Sequence, residues 1–467
     1  MSFPRYPKYK KSNTPWIDIV PKSWGVIQAK RGIEVLTDFT ANGSFASLAD
    51  NVEYKSSGYA RLIRMTDLRH QLEREGVWVD EEAYRYLRKS ALYGGELLMA
   101  SVGSVGLVYL MPTVKYPATL APNMYLLKTN RWIYERYFYW FLLSVGGQDQ
   151  ISQAATVTAQ PKLNKDNVRS LVLPLPSEAE QSKVAAFLDY ETARIDALVE
   201  QQQRLIELLK EKRQVVISHA VTKGLDPDVA MKDSGVEWLG EVPAHWEIKP
   251  LRYLGECQNG INIGAEAFGS GFPFVSYGDV YKNEVLPTNP KGLVQSSAQD
   301  REKYSIKKGD VLFTRTSETV EEIGFSSTCF QDIPSATFAG FLIRFRPVEE
   351  VLSPNFSRYF FGNQRLREFF VKEMEIVTRA SLGQDLLKRM SVPTPPVEEQ
   401  IRIAQYLDAK TQKNDSLLDQ AHAAIKLLAE RRSALISVAV TGKIDVRGWQ
   451  PPAGPSAATE ATQMEAV

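Results

Sequence analysis

PLPSEAEQSKVAAFLDYETARIDALVEQQQRLIELLKEKRQVVISHAVTKGLD, Pro174–Asp226, aligns without a gap with PTPPVEEQIRIAQYLDAKTQKNDSLLDQAHAAIKLLAERRSALISVAVTGKID, Pro393–Asp445. Identical pairs include Pro174 with Pro393, Pro176 with Pro395, Glu180 with Glu399, Gln181 with Gln400 and Leu188 with Leu407. They continue through Asp189 with Asp408, Asp196 with Asp415, Gln201 with Gln420, Glu211 with Glu430, Arg213 with Arg432, Ser218 with Ser437 and Thr222 with Thr441. Amphipathic helices commonly share apolar spacing, but seldom share polar residues in register. The chain is therefore read as an internal duplication. A repeat this long, used only twice, makes two similar halves rather than a solenoid.

Both copies read as long helices. Ser177 with Glu180 forms a capping-box pattern after Pro176, and in the second copy Pro395-Pro396 lead into an acidic first turn. No Pro or Gly follows until Gly224 and Gly442. About 45 residues at 1.5 Å each give helices of roughly 65–70 Å. The apolar period is close to seven. Ile195, Leu198, Gln202, Leu205, Leu209 and Val216 form one expected seam, and Asn414, Leu417, Ala421, Ala424, Leu428 and Leu435 the other. Such helices depend on burying their seam, so the two copies are expected to form an intramolecular coiled coil, with Gln202 and Asn414 setting register.

The segments preceding the helices also match each other. WIDIVPKSW (Trp16–Trp24) resembles WLGEVPAHW (Trp238–Trp246), and ARLIRMTDL (Ala60–Leu68) resembles PFVSYGDV (Pro273–Val280). YGGELLMAS (Tyr93–Ser101) resembles KKGDVLFTR (Lys307–Arg315), each a Gly turn before a short buried strand. ATLAPNMYLLK (Ala118–Lys128) and ATFAGFLIRFRP (Ala336–Pro347) share a strand pattern, and RYFYWFLLS and SRYFFGNQRLREFF are aromatic helices. The expected organisation is an N-terminal segment 1–25, a first globule 26–176, a helix 177–224, a repeated linker 225–250, a second globule 251–395, a helix 396–443 and a disordered tail 444–467. The tail assignment rests on its Pro-, Ala-, Ser- and Thr-rich string PPAGPSAATEATQMEAV. The fold class is α+β with an internal pseudo-two-fold repeat. Loops differ between the globules while the helices agree, so the helices are expected to share one task and the globules to perform two.

Composition narrows the class. At 467 residues the chain suggests about two to four domains. It has no run of about 18 apolar residues, so no membrane span is expected, and MSFPRYPKYKKSNTPW lacks the apolar centre of a signal peptide. Cys257 and Cys329 have no partner motif and suit a reducing cytoplasm. The net charge of +1 neither favours nor excludes a nucleic-acid partner.

Catalytic signatures are missing from the sequence. Gly442-Lys443 lacks the rest of a Walker A motif, and neither G-x-G-x-x-G nor G-x-S-x-G occurs. There is no Asn-Pro-Pro-Tyr or Asp-Pro-Pro-Tyr segment of the kind that holds a target amino group in adenine methyltransferases. His70, His219, His245 and His422 have no zinc-binding spacing. Pro227-Asp228 with Glu247-x-Lys249 fits a permissive magnesium-nuclease string, but the matching linker of the first half lacks it, and a charged surface is the plainer reading.

Candidate DNA contacts occur at matching places. Arg61, Arg64 and Arg69 surround one short strand. Ser101 and Ser104 follow another, as do Arg315, Thr316 and Ser317. Gln160 and Lys162 precede the first long helix, and Arg379 and Ser381 the second. Such side chains can reach base edges or phosphates. Each alone suits a solvated surface; the set suggests two reading heads.

MKDSGVEWLGEVPAHWE (Met231–Glu247), PLPSEAEQSKVAAFLD and SHAVTKGLD together resemble the DNA-specificity subunit of type I restriction-modification systems, to about residue 448. The resemblance implies that each globule is a target-recognition domain reading one half of a split, asymmetric site in double-stranded DNA. It implies that the helices form an antiparallel coiled coil that sets spacing and docks two methyltransferase subunits, with restriction/translocase subunits as further partners. It also implies no cofactor in this chain: S-adenosylmethionine, ATP and Mg²⁺ belong to partner subunits. Base-contacting positions are not carried over. A self-sufficient nuclease would instead cut plasmid unaided with Mg²⁺, and a non-DNA scaffold would show no salt-sensitive DNA binding.

Overall fold

The computed structural model describes residues 3–155, 161–317, 323–373 and 380–451. It divides into two compact units, Met1–Gln202 with Ala423–Val467, and Gln203–His422. The division falls inside both long helices, Glu178–Lys223 of 46 residues and Val397–Val440 of 44. Each unit therefore holds one globular head, the first part of the helix that follows it, and the last part of the other helix.

The helix boundaries follow from local chemistry. Ser177 N donates to Glu180 Oε2 at 3.2 Å and Glu180 N to Ser177 Oγ at 3.4 Å, a reciprocal cap. Gly224 and Gly442 end the helices at φ +76° and +69°, a region that favours glycine. At Gly442 a side chain is also excluded by space, since a Cβ would lie 2.5 Å from the Pro21 ring.

In both units the helix segments run antiparallel. In the first, Arg432 Nε donates to Asp196 Oδ1 at 2.9 Å, and Ile195, Leu435, Ile436, Ala439 and Val440 share one core. In the second, Asn414 Nδ2 donates to Leu209 O at 3.3 Å, and Arg213 lies 3.8 Å from Asp415. Asn414 thus spends its side chain on the facing helix, as a register-setting polar residue does. The seam differs from the sequence expectation in phase. Leu198, Leu205 and Leu417 are 44%, 41% and 40% exposed, whereas Ile206 is buried and Val199 and Leu418 are half-buried. Ile195, Gln202, Leu209, Asn414, Ala421 and Leu428 lie on the buried or half-buried side as expected. Apolar residues adjoin at 198–199, 205–206 and 417–418, so two heptad phases fit the pattern, and packing against the facing helix selects one.

The heads share one plan. In the first, an antiparallel sheet runs in the order Ile33–Asp38, Met124–Thr129, Leu97–Ala100, Val108–Leu110. A second sheet runs Val77–Val79, Ala60–Ile63, Ala118–Leu120, Ala91–Leu92, its middle pair parallel. In the second head the antiparallel order is Gly255–Asn259, Leu342–Pro347, Val311–Thr314, Ser326–Thr328. Its other sheet runs Gly292–Val294, Phe268–Val275, Thr337–Phe338, again with a parallel pair. Leu97–Ala100 and Val311–Thr314 are buried on both faces, which explains why they are apolar apart from Thr314, whose hydroxyl accepts from Phe325 N.

The repeated polar residues join head to helix. Gln181 accepts from Tyr134 N and donates to Trp132 O and Pro176 O; Gln400 accepts from Ser353 N and donates to Val351 O and Pro395 O. Asp189 takes Arg136 and Trp140 Nε1, and Asp408 takes Arg358 and Tyr359 Oη. Ser437 Oγ accepts from Val145 N, and Ser218 Oγ from Asn363 Nδ2.

Residues 444–449, expected within a disordered tail, are instead packed on the first unit. Val446 is 2% exposed in the first unit's core, Trp449 stacks edge-on against Phe187 at 5.4 Å, and Asp445 N donates to Pro4 O at 2.8 Å. The apolar residues Ile444, Val446 and Trp449 account for this order. The rest of the string, from residue 452, lies outside the described residues.

Candidate functional site

Each head carries one loop clamp at the same place. In the first, the chain leaves the buried strand at Ser101, whose N donates to Asn123 O at 2.9 Å and whose O accepts from Leu163 N at 2.9 Å. Val102 then bridges to Lys162, and Gly103 N donates to Pro161 O at 3.2 Å. Tyr125 Oη braces the second strand of the clamp by donating to Leu163 O at 2.8 Å. In the second head, Arg315 N donates to Phe341 O at 2.9 Å and Arg315 O accepts from Leu382 N at 2.7 Å. Thr316 pairs with Ser381 and Ser317 with Ala380, antiparallel.

The structure thus brings together residues that the sequence places far apart. Ser101, Ser104 and Lys162 share the first clamp; Arg315, Thr316, Ser317 and Ser381 share the second. Ser104 and Lys162 are exposed, Thr316 and Arg315 are half-buried, and Ser101 is 6% exposed. Gln160 and Arg379 lie outside the described residues.

Arg61 and Arg64 sit elsewhere, by the other sheet of the first head. Arg61 is 5% exposed, and its terminal nitrogens donate to Leu72 O, Arg74 O and Tyr116 Oη at 2.9–3.2 Å. Those bonds tie down the 70–76 loop, so the side chain is occupied in holding the head together. Arg64 grips Asp67 through Nε and Nη2 at 2.9 and 2.8 Å while remaining partly exposed. Burial acts to raise the Asp67 carboxyl, but the hydrogen bonds and charge of Arg64, with the charge of Arg61, outweigh it and hold the group below its usual range. Arg69 is exposed at the end of the following helical turn.

Sequence reasoning missed the backbone partners of the clamp, Asn123 with Leu163 and Phe341 with Leu382. The signal lay in the same alignment, since these pairs occupy matching places in the two halves. Asn123 adopts φ +64°, a conformation Asn tolerates better than most residues.

The nuclease string gains nothing from the fold. Glu247 and Lys249 pair with each other, and Asp228 N is held by Asp226 Oδ1 at 3.0 Å. Among the described residues no group of three or more His, Cys, Asp or Glu is placed to hold a metal ion. No described helix is long and apolar enough to cross a membrane.

The model of the type I restriction modification DNA specificity domain matches residues 39–208 and again 243–427. The chain belongs to this family. The two matches fall one on each head with the larger part of its following helix, so the family unit is the half. The EcoBI specificity subunit of Escherichia coli is 23% identical over 342 residues, covering 72% of this chain and 71% of that protein. The putative MjaX specificity subunit of Methanocaldococcus jannaschii is 24% identical over 459 residues, covering 94% and 98%. Two solved structures share the fold. One comes from work on complex assembly and conformational transition of the type I R-M system, with TM-score 0.68, 15% identity, and 91% and 99% coverage. The other is the HsdS subunit of Thermoanaerobacter tengcongensis, with TM-score 0.53, 16% identity, and 91% and 98% coverage. This chain is thus a DNA-specificity subunit of type I restriction-modification, with two recognition heads and two long helices packed together.

Proposed function

We propose that each head reads one half of a split, asymmetric site in double-stranded DNA, and that the long helices hold the unread spacing between the halves. The observation that carries this reading is the pair of clamps. They share one backbone scheme, but present Ser101, Ser104 and Lys162 in one head and Arg315 and Thr316 in the other. A shared scaffold with different side chains suits two readers of different sequence. Site symmetry mirrors protein symmetry, so heads that differ call for a site without a palindrome. Arg64, at the edge of the first head, is a further candidate contact.

The chain carries out no chemical step in this reading. Two methyltransferase subunits dock on the helices and bring S-adenosylmethionine; restriction/translocase subunits bring the ATP- and Mg²⁺-dependent steps. The complex works in the cytoplasm, where its DNA is. The test is selection from a random duplex library by the chain assembled with methyltransferase subunits. Enrichment of two fixed, unlike segments around an unread gap is expected. Enrichment of a palindrome, or of nothing above nonspecific DNA, would overturn the reading. Purified chain with Mg²⁺ and plasmid should leave the plasmid intact.

A further inference from the structure

The second clamp contains an arginine that the fold itself does not use. Other arginines of this head that are withdrawn from water have partners. Arg344 donates to Ser305 O and Gln258 Oε1, and Arg346 to both carboxylate oxygens of Asp310 at 2.7 Å. Arg315 is half-buried and its Nε, like that of Arg344, is buried without a hydrogen-bond partner, but no hydrogen bond joins its terminal nitrogens to a described residue as Arg344's are joined. The terminal nitrogens of Arg315 are not among the buried atoms, so this end of the guanidinium is open to an acceptor that arrives with a ligand, which would also offset the cost of the orphaned Nε.

The backbone on either side of that guanidinium is fixed. Arg315 N and O are both bonded, to Phe341 O and Leu382 N, so its Cα is held before any ligand binds. A guanidinium from a fixed root presents a planar fork, and the O6 and N7 acceptors of guanine match that fork in the major groove. The first head has Ser101 in the matching clamp, with a side chain too short for the same reach. The clamps therefore differ in chemistry at a position where both backbones make the same pair of hydrogen bonds.

We infer that Arg315 reads a guanine in the half-site of the second head, a contact without counterpart in the first. This inference rests on the reading of one half-site per head. The test uses the full chain assembled with methyltransferase subunits. Affinity is measured for the selected duplex and for duplexes in which each G·C pair of the second half is replaced in turn. Arg315→Ala should weaken binding to the native duplex roughly ten- to hundredfold. It should lose nothing more when one particular G·C pair is replaced, and leave discrimination in the first half intact. Arg315→Lys keeps the charge but not the fork, and should fail to restore the lost discrimination.

Three results would overturn the inference. An equal loss on every duplex, with the salt dependence reduced by about one phosphate, would make Arg315 a backbone contact. Full rescue by lysine would make charge alone sufficient. A lowered melting temperature with loss in both halves would make the residue structural. If the wild-type complex selects no two-part site, the reading beneath this inference falls, and the inference falls with it.

Discussion

The two junctions between long helix and head use the same residue types, but segments of different continuity. In the second unit, residues 224–246 run unbroken from the end of one helix to Trp246, which packs against Gly224. In the first, the same junction is built from residues 442–449 and 4–24, joined where Asp445 N meets Pro4 O. The polar chemistry differs too. Glu180 accepts from Trp24 Nε1 and Tyr6 Oη, both at 3.2 Å, whereas Glu399 meets His245 Nε2 at 2.8 Å and Trp246 Nε1 has no partner among the described residues. Burial, with the Glu180 and Asp445 carboxylates, pushes the Tyr6 phenol far above its ordinary value, so it stays a donor. The comparison teaches that duplication preserved the joint as geometry, while each copy found its own way to satisfy it. The clamps differ further, as the proposed reading of two different half-sites requires.

The largest expected effect breaks the comparison between heads. Exchanging residues 26–160 for the corresponding globule of another family member should replace one half-site entirely and leave the other unchanged, as read by sequencing the selected duplexes. Change in both halves would count against separate heads. Next comes the strut. Deleting one heptad from each helix shortens it by about 10 Å, and the unread gap should shrink by about three base pairs; a folded variant that keeps the original gap would end the ruler idea.

A smaller effect separates the two junctions. Gly442→Ala must accept both the left-handed backbone and a Cβ at 2.5 Å from the Pro21 ring, and should cost about 2–4 kcal/mol. At Gly224 the nearest atom is Glu399 Oε1 at 3.3 Å, so Gly224→Ala should cost about 1–2 kcal/mol, mainly from the backbone. Equal losses in denaturant melts would show that the junctions are packed alike. The smallest effect is chemical. Burial pushes the Cys257 thiol up to about 11 and, with Asp310 nearby, Cys329 up to about 12. Thiolate is therefore scarce below those values, and at pH 8 a soluble alkylating reagent should label the folded chain far more slowly than the unfolded chain.

Much of this architecture was legible because it occurs twice. Gln181 with Gln400, Asp189 with Asp408 and Ser218 with Ser437 were visible as polar residues in register, and each proves to bind head to helix. The strand patterns of the two heads were legible for the same reason. The seam phase was not, because Leu198 and Val199 both satisfy a heptad and only the facing helix chooses between them. Arg61 showed the limit of residue type as a guide, since the carbonyls of Leu72 and Arg74 that occupy it come from a loop eleven or more residues on. The clamps were half legible: their side chains stood out at matching places, but the backbone bonds that unite them are a property of the folded head.

The central claim is that two unlike heads read two unlike half-sites. It is tested most directly by mapping methylated adenines in cells that express this chain with its methyltransferase subunit, against cells lacking only this chain. A two-part, non-palindromic motif present only with the chain is the predicted result. A stably assembled complex that adds no new motif, or adds a palindromic one, would contradict it.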